Sequence, residues 1–176
     1  MRRTGWLLAA ALAIAAGPAR AAANLNTDDF QFLDEVVNNG LVSLDVSTTM
    51  HTGDTASITL VEWTNPGLVA IGGKPPPKTT EINMTFDCVQ KTYQVVRIIA
   101  RDAAGQVMND NDAVTPPRPL TSEQSLTAVS LRLACSKGNK IGNMPVYTGR
   151  AAALDHTAKF FAGMNPPVVT PPKPSP

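Results

Sequence analysis

Beyond residue 40 the chain repeats one pattern, short runs in which apolar and polar residues alternate, set apart by clusters of Gly, Pro, Asn and Asp. Alternation with period two sends every second side chain to the same face of a strand, so it marks a sheet with one buried face. The clearest run covers residues 79–89. There Ile82, Met84, Phe86 and Cys88 point one way, and Glu81, Asn83, Thr85 and Asp87 point the other, towards solvent. Residues 55–63 repeat the pattern, with Ala56, Ile58 and Leu60 set against Ser57 and Thr59. This run pairs as a hairpin with a shorter one at 41–46, across turn residues around Gly53. Residues 93–101 and a short run at 106–108, joined by a tight turn at 102–105, complete an expected meander.

Three stretches instead carry helical spacing. In residues 27–39, Phe30, Leu33, Val36 and Val37 recur at near-helical intervals, Asp28 and Asp29 fall in the first turn and Gly40 follows the end, which predicts a short amphipathic helix. Thr121-Ser122-Glu123-Gln124 has the form of a capping box with Thr121 as the cap. It precedes Leu126, Val129, Ser130 and Leu133 on one stripe that runs into Cys135, with Gly138 as a stop. A third helix is predicted over 151–161 with Leu154, Ala158 and Phe161 inward. Residues 64–78 are rich in Pro and Gly and cannot continue a ladder, so they form a surface loop that serves either as a binding element or as a plain connector. A second polar loop carries Asp110, Asp112, Pro116, Pro117 and Pro119.

The ends set the domain organisation. Arg2 and Arg3, an apolar run from Trp6 to Ala16, the break at Gly17-Pro18 and the small residues Ala19-Arg20-Ala21 have the layout of a secretory leader cleaved after Ala21 or Ala23. The run falls well short of the roughly 20 residues that cross a bilayer, and no Cys lies near the cleavage point to take a lipid. The reading is a leader at 1–21, one α+β domain at 22–163, and a Pro-rich tail at 164–176, extended and disordered, that acts as a spacer or, alternatively, reaches a partner.

Of the 15 Lys and Arg side chains, Arg2, Arg3 and Arg20 belong to the leader, leaving 12 against 14 Asp and Glu. Nucleic acid or an anionic membrane surface calls for a clustered basic excess, which this sequence lacks. Cys88 and Cys135 are the only two cysteines. In an exported chain they pair by default, and a redox-active pair would more commonly sit as Cys-x-x-Cys. A bond between the 79–89 strand and the end of the 126–135 helix requires that helix to lie on the apolar face of the sheet. The expected fold is therefore α+β: a small antiparallel β-sheet with one or more helices packed on one face and a single disulfide.

No residue is assigned a catalytic, cofactor-binding or metal-binding role. His51 and His156 are far apart in the chain, and both Cys are committed to each other. Asp155 and His156 are neighbours on a predicted helix and so point about 100° apart. Asp87, considered with Asp110 or Asp112 as a pair of acids, reads as solvated surface. Gly72-Gly73 is followed by Lys74 and three Pro where a phosphate-binding loop would begin a helix. Asn83-Met84-Thr85 is treated as a chance sequon.

Several tokens nevertheless fall in a familiar order: Phe86-Asp87-Cys88, Tyr93, the turn Asp102-Ala103-Ala104-Gly105-Gln106-Val107, a Pro-rich linker, Ser122 and Ala134-Cys135. With Leu44-Asp45-Val46 and Gly53-Asp54 ahead of the strand ending at Trp63, the region 40–136 resembles the bacterial surface-adhesin E-like domain. The stretch from Pro66 to Lys78 and the segment after Cys135 depart from it. The resemblance implies a small exported domain with an antiparallel sheet, a packed helix and a disulfide, and a role in surface binding; it transfers no functional residue. The expected function is an exported, non-enzymatic binding module in the periplasm, at the cell surface or secreted, engaging an extracellular or envelope protein, with no cofactor. The alternatives are a structural envelope protein held by its tail, and a small secreted enzyme. The sequence sets no oligomeric state.

Overall fold

A computed structural model describes residues 24–68, 75–112, 114–136 and 142–164. The leader, the tail beyond Met164, Gly72-Gly73, Lys74 and Gly138 lie outside these described residues. The strands are β1 (Asp29–Val37), β2 (Gly40–Thr52), β3 (Thr55–Thr64), β4 (Thr79–Asp87), β5 (Thr92–Arg101), β6 (Val107–Asn111), β7 (Arg118–Pro119) and β8 (Val146–Thr148), and the helices are α1 (Leu126–Cys135) and α2 (Arg150–Met164). They form one sheet in the order β6-β5-β4-β3-β2-β1-β8, with β7 pairing β5. Every pairing is antiparallel. The expected hairpin of β2 with β3 and the meander through β6 are present, in a larger sheet than the sequence indicated.

The segment read as a first helix is a strand. Phe30 and Phe32 are both fully buried, and two residues apart on a helix they would diverge by about 200°; on β1 they share a face. The helix-like interval to Leu33, Val36 and Val37 arises because the register slips between Phe32 and Val36, where Asp34 takes a positive φ of 51°. Leu33 and Val37 stand an odd number of residues from Phe32 and pack with the opposite core. β1 then turns into β2 through Asn38 and Asn39, both at positive φ, which Asn tolerates better than other side chains.

Both faces of the sheet are covered, whereas the sequence reading placed the helices on one. On the first face Val42, Leu44, Ala56, Ile58, Leu60, Met84 and Phe86 pack against Leu131, Leu133 and Ala134 of α1. On the second, Phe30, Phe32, Leu41, Val61 and Trp63 pack against Ala153 and Phe161 of α2. The reason is visible in Leu41-Val42 and Leu60-Val61: adjacent apolar residues on a strand point to opposite sides, so this end of the sheet has two apolar faces to bury. The disulfide joins Cys88, just past β4, to Cys135 at the end of α1, and it is on the α1 face as expected.

The cap of α1 is Ser125, whose Oγ accepts from the Ala128 N–H at 3.2 Å, rather than Thr121. Ser122 spends its hydroxyl on the Gln124 N–H in a preceding turn, which displaces the helix start towards Ser125. Ser125→Ala is expected to cost about 1 kcal/mol in urea denaturation, and Thr121→Ala only a few tenths. In α2 the inward stripe is Ala153, Thr157 and Phe161; Leu154 is half-buried and Ala158 exposed, so the predicted stripe lies about one residue out of phase.

Candidate functional site

The second face changes character along the strands. Near α2 it is aromatic, with Phe30 edge-on to Trp63 at 5.0 Å. Further along it is polar, and strand register aligns the polar residues into rows. Asp45, Thr59, Asn83 and Arg97 lie opposite one another across β2, β3, β4 and β5. The adjacent row runs Ser43, Val61, Glu81, Ile99 and Asp110, reaching β6.

Most of these groups are buried and paired. Thr59 Oγ1 donates to Asn83 Oδ1 at 2.8 Å, and Trp63 Nε1 donates to Ser43 Oγ at 2.8 Å. The strand parity assigned to β4 holds, but its supposed solvent side does not: Glu81 and Asn83 are buried. Glu81 Oε1 is ion-paired with Arg101, whose guanidinium also donates to the Gly105 carbonyl, while Glu81 Oε2 is buried without a hydrogen-bond partner. Burial pushes the Glu81 carboxyl above its ordinary range, against the pull of Arg101. At the open end of the row, Arg97 is held by two hydrogen bonds to Asp110, at 2.8 and 2.6 Å, and lies 3.4 Å from Asp112. The Arg97 hydrogen bond holds Asp110 below the usual carboxylate range.

At the buried end lies a pair of acids. Asp45 is fully buried where β2 bulges, between Asp45 and Met50. Its Oδ1 accepts from the Ser47 N–H at 3.0 Å, and its carbonyl accepts from Thr48 Oγ1. Asp28 Oδ2 and Asp45 Oδ2 are both shut away from water without a hydrogen-bond partner. Burial first, and the Asp28 charge second, push Asp45 up to about 8. Burial thus favours the neutral form of the Asp45 carboxyl.

The residues weighed for chemistry from the sequence are scattered. His156 stacks on Tyr147 with ring centres 4.4 Å apart and meets Phe32 edge-on, while Asp155 turns to Lys159 at 2.6 Å. Burial holds His156 below the ordinary imidazole range. His51 is exposed near the turn of the β2–β3 hairpin. Asp87 caps the following turn through the N–H groups of Val89 and Gln90, and it borders a cleft of about 230 Å³ with Thr55, Thr85, Gln90 and Gln94. It does not meet Asp110 or Asp112, which belong to Arg97. Among the described residues no three His, Cys, Asp or Glu side chains converge as metal ligands, and no helix is long and apolar enough to cross a membrane.

A different feature escaped the sequence reading. β6 extends to Asn111, past the predicted end at Met108, and all five of its residues are exposed. It ends the strand order, so among the described residues it is paired on one side only, by β5. Val107 and Met108 on it are 51% and 46% exposed, and Val114 beyond it is exposed too. Alternation could not show how far this strand runs, because a strand with no buried face has no hydrophobic period.

Comparison with protein-family models, with curated proteins and with solved structures found no match.

Proposed function

We propose that the chain is an exported, non-enzymatic binding module that engages an extracellular or envelope protein by adding an extended segment of that partner to β6. The observation that carries this reading is the open edge itself. A strand bonded on one side presents an unpaired row of N–H and C=O groups, the template on which β-augmentation works. Five residues span roughly 17 Å, enough for a short partner strand. Natural edges are commonly guarded by charge, but the Asp110 carboxylate here is drawn onto Arg97, and Val107 and Met108 stand exposed as apolar anchors. The leader-like N-terminus, the disulfide and the resemblance to surface-adhesin E-like domains agree with a binding role outside the cytoplasm.

The test uses the purified chain against a panel of purified matrix and envelope proteins. Saturable binding to one of them is expected, and Val107→Lys with Met108→Lys should weaken it about tenfold or more without changing the melting temperature, since charge on an edge opposes strand addition. Asp87→Asn, at the distant cleft, should leave it unchanged. No saturable partner, or equal binding by the double variant, would remove the reading.

A further inference from the structure

The cleft of about 230 Å³ beside Asp87 is built by strand register. Asp87 lies opposite Thr55 on β3 and Thr92 on β5, and Thr85 lies opposite Gln94. Thr85 and Asp87 are two residues apart, so the two rows project from one side of the sheet, the side shared with Glu81 and Asn83. Gln90 adds an amide from the turn after β4, and Pro117, two residues ahead of Pro119 on β7, forms a wall. That wall is braced at both ends. Thr115 exchanges two hydrogen bonds with the backbone of Val95, through its N–H and its Oγ1, and Pro119 pairs with Thr92.

The fold makes little use of these polar groups. Asp87 Oδ1 accepts from the N–H groups of Val89 and Gln90, at 2.9 and 2.7 Å, which fixes the carboxylate and leaves Oδ2 to the cleft. The side chains of Thr55, Thr85, Gln90, Thr92 and Gln94 make no hydrogen bond to another described residue. A concave surface therefore offers one fixed acceptor, two amides and three hydroxyls with nothing on the chain to satisfy them.

We propose that this cleft is a second binding site, separate from β6, and that it takes a neutral sugar ring. A ligand that carries several hydroxyls, each both donor and acceptor, matches such a lining. Other ligand classes fit worse. No Lys, Arg or His lines the cleft to neutralise an anion, and one carboxylate is too few to hold a metal ion. A peptide strand would need free backbone groups, but Thr85 and Asp87 are paired on both sides, by β3 and by β5. Sites for drug-sized ligands run from roughly 300 Å³ upward, so the smaller volume here suits a single ring. The site is independent of the edge: β6 pairs with Ile98 to Arg101, at the other end of β5 from Thr92 and Gln94.

Amide NMR titration of the full chain with D-glucose, D-galactose, D-mannose and N-acetyl-D-glucosamine, each as the free sugar and as its methyl glycoside, tests the proposal. At least one is expected to give saturable shifts centred on residues 85–94. Saturation by the methyl glycoside assigns the site to the end of a longer glycan, and by the free sugar alone to a monosaccharide; both support it. D-Glucuronate, which brings a second carboxylate to Asp87, is expected to give none. Thr85→Val with Gln94→Leu should weaken binding about tenfold or more at an unchanged melting temperature, because those groups hold nothing in the fold. Asp87→Asn, which keeps the Oδ1 acceptor for the turn, should weaken it comparably and decides the matter if the double variant does not fold. Val107→Lys with Met108→Lys should bind the sugar as the parent does, so failure at β6 and failure here are told apart. No saturable shift with any neutral sugar, shifts centred elsewhere, glucuronate bound as tightly as the neutral sugars, or full binding by the cleft variants would overturn the site.

Discussion

Replacing Cys88 and Cys135 together with Ala is expected to cost about 4 kcal/mol, a loss visible as a lower urea midpoint and a melting temperature reduced by roughly 12 °C. The bond closes a loop of 47 residues, and freeing the unfolded chain from that constraint raises its entropy. The folded state keeps the packing of Leu131, Leu133 and Ala134 on β2 and β3, so the variant should still fold, with α1 the element that loosens first. Denaturation of the parent chain with and without reductant provides the check. A difference below about 1 kcal/mol would show that packing alone holds α1.

Arg101→Met is the second large effect, expected at 3–5 kcal/mol near neutral pH. Glu81 is fully buried, and Arg101, itself only 15% exposed, is its ionic partner. Without the guanidinium, the carboxylate must either remain charged in a poor environment or take up a proton. Burial already raises the Glu81 carboxyl, and the substitution removes the influence that lowers it. The folded chain then binds a proton more tightly than the unfolded one, so the deficit should grow as pH rises from 4 towards 7. Denaturation at those two pH values measures it, and adding Glu81→Gln should recover most of the loss at pH 7. An equal deficit at both pH values would assign the damage to lost packing instead.

The contrast between β3 and β1 shows how much the sequence carried. In β3 and β4 the alternation set strand and disulfide face correctly, because their regular pairing on an apolar face leaves a period of two, while β2, which bulges between Asp45 and Met50, runs to Thr52 through residues that read as a turn. β1 breaks that period with a bulge at Asp34, and its interrupted pattern imitated a helix. The run Asn38-Asn39-Gly40 was the available signal, since two residues that tolerate positive φ between apolar runs favour a tight hairpin. On β4 parity gave the direction of Glu81 and Asn83, but parity is silent on what else packs against that side. The acid pair was invisible for a related reason: Asp28 was read as the first turn of a helix, and only the β1–β2 hairpin brings it to Asp45. β7 and β8, of two and three residues, are too short to display a period.

The arrangement of β1 between β2 and β8 also orders the events of folding. From β1 to β6 each strand finds its partner next in line, so the contacts are local and each hairpin can template the following one. The bond between Thr148 and Asp29 instead spans 119 positions and must gather most of the polypeptide before it yields any enthalpy. Zippering of successive hairpins therefore precedes capture of β8, and the joint that closes last in time is the one spanning the greatest length of chain.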